Sequence, residues 1–179
     1  MISRVTAAVF ALAVVLGMTT GCQPEPTPSP SGPVFANEQE AFAAAEETYR
    51  AYVDALNQVD LSDPETFEAV YAWTTGELNA SDRKNFSAWH ADGYVKSGDA
   101  VVQRVVGSTA RDLDKPSREI DLDVCYDVSG VEVTDQEGTS VVSPDRPDIQ
   151  TLKVRLVASE TPTELAIDLI SGSEGDLDC

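Results

Sequence analysis

The chain is poor in positive charge and nearly without histidine. Lys and Arg together number 12 against 31 Asp and Glu, a net charge of −19 over 179 residues, and the one histidine is His90. So negative a molecule repels phosphate backbones, which excludes nucleic acid as a partner, and it disfavours polybasic docking on anionic lipid. With one histidine and three cysteines, at 22, 125 and 179, no Cys-His set for zinc can be assembled. Walker, Rossmann and Gly-x-Ser-x-Gly motifs are missing as well. The acidic residues Asp112, Asp114, Asp121, Asp123 and Asp127 do not form the D-x-D-x-D-G loop of a calcium site and read as a solvated strand face. No catalytic, cofactor-binding or metal-ligating residue is therefore assigned from sequence. Long hydrophobic runs are absent too. The longest, Val5–Met18, falls short of the roughly 20 residues that cross a bilayer.

What is present begins at that run. Arg4 precedes it and Thr19-Thr20-Gly21-Cys22 follows, which gives residues 1–21 the layout of a signal peptide. The junction resembles the lipobox of bacterial lipoproteins, with small residues before Cys22, although Thr19 stands where leucine is usual. A thiolate is nucleophilic enough to take a lipid as a stable thioether, and two or more chains anchor a protein firmly. The expectation is lipidation at Cys22 and an extracytoplasmic location on the outer face of the cell membrane. The alternative is an ordinary secretory signal that leaves Cys22 a free thiol. Residues 22–35 then form a tether: QPEPTPSPSGP carries proline at 24, 26, 28, 30 and 33, a composition that favours polyproline II and builds no core. At about 3.1 Å per residue it would hold a domain some 30–35 Å from the lipid.

Residues 36–179 carry the fold. Asn37-x-x-Glu40 has capping-box spacing, and Phe42, Ala45, Tyr49, Tyr52, Val53, Leu56 and Val59 recur in helical steps, predicting a helix over 37–59. Ser62-Asp63-Pro64-Glu65 starts a second helix carried to about Thr75, where Gly76 stops it. Ser81-Asp82 starts a third that ends at Gly93. Beyond Gly98 the period changes to two. Val101–Val106, Ile120–Val128, Leu152–Leu156 and Leu165–Leu169 read as strands, and Val131-Val133 turns at Asp135–Gly138 to return through Val141-Val142. Helices followed by an antiparallel sheet argue an α+β domain with the helices over one face of a curved sheet.

The segments AFAAAEETYRAYVDALN, VCYDVSGVEV and SVVSPDRPD, in that order, resemble the single-domain lipoproteins of high-GC Gram-positive bacteria, and the element order resembles the NTF2-like, or SnoaL-like, cone. The resemblance implies a cone with N-terminal helices on the sheet; members of that wider fold include isomerases, dehydratases and proteins without known activity. Cys125 and Cys179, an even pair in an exported chain, are expected to form a disulfide. The stripe of Phe42, Tyr49, Tyr52, Phe67, Tyr71, Trp73, Phe86 and Trp89 reads first as core, with Tyr49, Tyr52, Trp73, Trp89 and His90 as candidate lining of a pocket. Two functions follow. The favoured one is a non-enzymatic envelope module that binds a protein partner or a small apolar ligand. The other is a small cone-fold enzyme with an interior acid–base pair, a tyrosine with His90 or a buried aspartate.

Overall fold

The structure is a computed structural model that describes residues 34–173 and 177–179. The expected signal peptide, Cys22 and most of the tether lie outside the described residues. Helix α1 spans Glu38–Asn57. The Asn37 side chain accepts from the Glu40 amide at 3.0 Å, and the Glu40 carboxylate in turn accepts from the Ala36 amide at 2.8 Å, so two otherwise orphaned amides are satisfied at the start. A 3-10 turn at Pro64–Phe67, capped by Asp63, runs into the single-turn α2, Glu68–Tyr71. Helix α3 spans Gly76–Asp92 and ends on left-handed Gly93.

The second and third helices depart from the sequence reading. The second stops at Tyr71, because the next residues pair with the sheet: Ile167 donates to the Trp73 carbonyl, and the Thr75 amide donates to Ile167. Gly76 begins α3 rather than ending its predecessor. It sits at φ 51°, and a Cβ there would lie 1.9 Å from an Asp168 carboxylate oxygen, so glycine alone fits. Only Phe86 of the seventeen residues of α3 is fully buried, which is why the apolar period that reveals α1 is missing from it.

Four antiparallel strands, β2 (Val101–Arg111), β3 (Glu119–Asp127), β5 (Ile149–Ala158) and β6 (Leu165–Gly172), form the main sheet in the order β2-β3-β5-β6. Irregularities between Val102 and Arg104, between Gly107 and Thr109, and opposite Arg155–Leu156 bend it. A small second sheet pairs β1 (Val95–Ser97) with β4 (Glu132–Thr134). The return through Val141-Val142 is reduced to a Thr134–Ser140 bridge and one bond from the Val141 amide to Val133. Helix α1 crosses β2, β3 and β6, and α3 lies against β6. The fold is α+β, with helices on one face of the bent antiparallel sheet, the layout that the NTF2-like resemblance implies.

That face is dry. Ile120, Leu122, Val124, Val154, Leu156, Leu165 and Ile167 are completely buried beneath α1, whose Ala41, Ala45 and Thr48 are likewise sealed. The Phe42 ring occupies the space where a side chain at Gly107 would stand, with its nearest atom 2.4 Å from the position of a Cβ. Phe35, read from sequence as tether, is 6% exposed and belongs to this core. It packs beside the buried Arg118, whose guanidinium lies 5.7 Å from its ring and donates to the Glu164 carbonyl at 2.9 Å.

The opposite face of the same strands is charged. Arg111 pairs with Glu119 and Asp121, Arg155 reaches the same two carboxylates at 3.5 and 3.4 Å, and Lys153 holds Asp123 at 2.9 Å. Asp127 instead accepts from Gln103 and from the Ser129 amide. On this face Cys125 is disulfide-bonded to Cys179, Cα–Cα 5.6 Å, which fastens the end of the chain to β3.

Candidate functional site

The five candidate pocket residues go to three different places. Tyr49 and Tyr52 point from α1 into the core, 1% and 6% exposed, with Tyr126 of β3 edge-on to Tyr49 at 6.4 Å. Burial pushes the hydroxyls of Tyr49 and Tyr52 well above the usual range and that of Tyr126 up to about 12, because a phenolate would lack water there. Tyr52 donates to Asp82 of α3 at 3.5 Å; burial raises the Asp82 carboxyl to about 6, opposed by that hydrogen bond. Trp73 is half-buried on the stretch that pairs with β6. Trp89 and His90 stand exposed on α3. The structure therefore does not gather the five residues into one pocket. The sequence places four of them on one aromatic stripe with His90 beside it, but α3 turns its Trp89 and His90 away from the face on which α1 buries its tyrosines.

The exposed part of the aromatic set does form a site. Between the Pro64–Tyr71 segment and α3 lies an open groove of about 400 Å³. Phe67 and Tyr71 line it, and both rest on the buried Phe86 behind them, Phe67 stacked at 5.1 Å and Tyr71 tilted at 6.1 Å. Trp89, 39% exposed, meets the edge of Phe86 at 5.7 Å beside the groove. Arg83 closes one end, its guanidinium 4.0 Å above the Tyr71 ring, a cation–π contact that holds the planar fork in place. Its Nε donates to Asn79 at 2.9 Å, and Glu68 stands 3.7 Å from one terminal nitrogen. His90 closes the other end, edge-on to Phe67. Its Nδ1 lies 2.8 Å from the Leu61 carbonyl oxygen, which can only accept, so Nδ1 carries the proton and Nε2 of the neutral ring is left as an acceptor. Arg83, Ser87 and His90 share one line of α3 at steps of four and three, a spacing readable in the sequence. Arg83 and Ser87 nevertheless escaped the sequence reading, because their neighbours across the groove come from a different helix.

No metal-holding group of His, Cys, Asp or Glu occurs among the described residues. Asp121 and Asp123, the carboxylates with the best metal geometry on paper, already face Arg111, Arg155 and Lys153. A smaller cleft of about 140 Å³ opens among them, lined by Ser108, Thr109, Lys153 and Ser171.

No protein-family model and no curated protein sequence matches the chain. Solved structures do. The intermembrane space region of the chloroplast protein ARC6 aligns with a TM-score of 0.51 at 12% identity, over 73% of this chain and 95% of that one. A periplasmic fragment of TraM aligns at 0.39 and 12% identity, covering 76% and 96% of the two chains. CagV, a VirB8 homolog of the type IV secretion system of Helicobacter pylori strain 26695, aligns at 0.42 and 8%, covering 72% and 95%. The likeness is one of fold. It also corrects the family resemblance drawn from sequence. None of these three structures is described as a lipoprotein or as coming from a high-GC Gram-positive bacterium, and no family model supports that assignment. The α+β layout stands; the membership does not.

Proposed function

We propose that this chain is an extracytoplasmic interaction module of the cell envelope, exported by residues 1–21 and tethered through lipid on Cys22. The observation that supports a surface role is the contrast between the sealed face of the sheet and the open aromatic groove. The face beneath α1 is filled by aliphatic side chains and Tyr49, whereas Phe67, Tyr71, Arg83 and His90 line an open groove on the helical side, with Trp89 exposed beside it. Trp, Tyr and Arg around a groove are the residue types that carry binding energy in protein interfaces. The acidic surface keeps such a module soluble and away from anionic lipid while the tether supplies the attachment. Fold alone does not select among these functions, so the proposal rests on this chain's own residues.

The enzyme reading has one observation in its favour, the Tyr52–Asp82 pair with its raised carboxyl. That pair lies among packed rings rather than in either cleft described above, and the binding reading accounts for more of the surface. Substituting Cys22→Ala tests the tether. The variant is expected in the medium instead of the membrane fraction, and continued retention on the membrane would overturn the anchor.

A further inference from the structure

We infer that the groove between the Pro64–Tyr71 segment and α3 docks an extended segment of a partner protein that carries an apolar side chain next to a carboxylate. The inference rests on the interaction-module reading and names the partner chemistry of that site. Three features converge on it.

The first is the floor. Pro64 and the edges of the Phe67 and Tyr71 rings line the groove, and both rings are held from behind by the buried Phe86, so the apolar lining is already fixed by its neighbours. Preorganised aromatic seats bind with little loss of side-chain freedom.

The second is charge. On a chain of net charge −19, the groove is closed at one end by a guanidinium, with Lys84 next to it in sequence. Glu68, the carboxylate paired with Arg83, is 70% exposed and stands off at 3.7 Å, a weak competitor, and the neighbouring Asp82 is engaged by Tyr52. Nε of Arg83 is engaged by Asn79, and stacking on Tyr71 holds the plane of the group. The terminal nitrogens remain suited to a carboxylate from outside.

The third is polarity along the groove. Arg83 donates at one end, while Nε2 of His90 accepts at the other, since Nδ1 is committed to the Leu61 carbonyl. Seven helical residues separate the two, about 10 Å along the axis, the span of about three residues of extended chain. A peptide placing its carboxylate at Arg83 therefore brings a backbone N–H to His90 with the apolar side chain over Phe67. A lone carboxylic acid would satisfy Arg83 but leave His90 unused.

The probe is a terminally blocked hexapeptide, Gly-Ser-X-Glu-Ser-Gly, where X is the photoreactive benzoylphenylalanine, used on the full chain in detergent micelles. A second peptide with lysine in place of the glutamate is the comparison. The glutamate peptide is expected to label residues between 64 and 90, at least fivefold more than the lysine peptide. Arg83→Met should bring it down to the lysine level. Ser87→Trp, which fills the groove from an exposed position, should abolish labelling by both while leaving the far-ultraviolet circular dichroism unchanged. Equal labelling by the two peptides, labelling centred outside the groove, or labelling that survives Ser87→Trp would overturn the inference. Such a failure alongside release of Cys22→Ala into the medium would remove the groove but leave the tethered module standing. A labelled groove with Cys22→Ala still on the membrane would remove only the tether.

Discussion

Strands β3 and β5 show two unlike proteins on their two faces. Read at even positions, they give Ile120, Leu122, Val124, Val154 and Leu156, every one fully buried; read at odd positions, they give Asp121, Asp123, Cys125, Lys153 and Arg155. The same backbone hydrogen bonds serve both faces, so the difference in energy between them is a difference of side chains alone. Burial of an aliphatic side chain is worth roughly 1.5–3 kcal/mol, whereas an exposed ion pair is worth about 0–1 kcal/mol. The dry face holds the domain together. The wet face sets register and solubility, and its one strong feature is covalent.

The largest expected effect therefore comes from the dry face. Leu122→Ala and Leu156→Ala each remove buried methyl groups beneath α1, where the surrounding helix and sheet cannot collapse inward. Each should cost about 3–4 kcal/mol in urea unfolding. On the wet face Lys153→Ala, which removes the partner of Asp123, should cost no more than about 0.5 kcal/mol. Comparable losses at Leu122 and Lys153 would erase the distinction between the faces.

Next in size is the disulfide. Cys125 and Cys179 are 54 positions apart, and in the chain-entropy model closing such a loop is worth roughly 4 kcal/mol, less where the unfolded chain keeps structure. Replacing both with serine should lower stability by about 2–4 kcal/mol, and thiol titration of the unreduced chain should find neither cysteine free. Two reactive thiols at these positions would leave the wet face with ion pairs only.

The division between what the sequence disclosed and what it hid follows the same physics. Strand β3 was legible because its two faces have opposite chemistry, so the alternation of Ile120, Leu122 and Val124 with aspartates is strict. Helix α1 was legible through its cap at Asn37 and its stripe. By contrast, β2 was read only to Val106, since Gly107-Ser108-Thr109-Ala110 has no apolar period; Gly107 is there to admit Phe42, a long-range requirement invisible locally. In the sequence α3 reads late and short because it buries one residue, and Gly76 reads as a stop because its crowding by Asp168 comes from β6. The groove shared this fate. Its rings were all singled out, but which of them would face solvent depended on how α3 meets the Pro64–Tyr71 segment.

A smaller effect than that of the disulfide concerns the hydrogen bond from Tyr52 to Asp82 of α3, and it tests whether the dry region extends that far. Asp82 is half-buried and its carboxyl is raised to about 6, chiefly by loss of solvation, against an ordinary value of 3.8. A carboxyl with a raised native pKa keeps its proton in the folded state over a range where the unfolded chain has already lost it. Its contribution to stability is therefore intact below pH 3.8 and is lost as pH rises through about 6, after which the ionised carboxylate burdens the fold by a constant amount. Partial exposure screens that burden, leaving about 1 kcal/mol. Asp82→Asn removes the titration while keeping an oxygen to accept from Tyr52. The variant should match the parent near pH 4 and exceed its urea stability by about 1 kcal/mol at pH 7.5. Parallel stability profiles for the two chains between pH 4 and 7.5 would mean that the Asp82 carboxylate is hydrated in the fold, and that the dry region ends at Tyr52 rather than at α3.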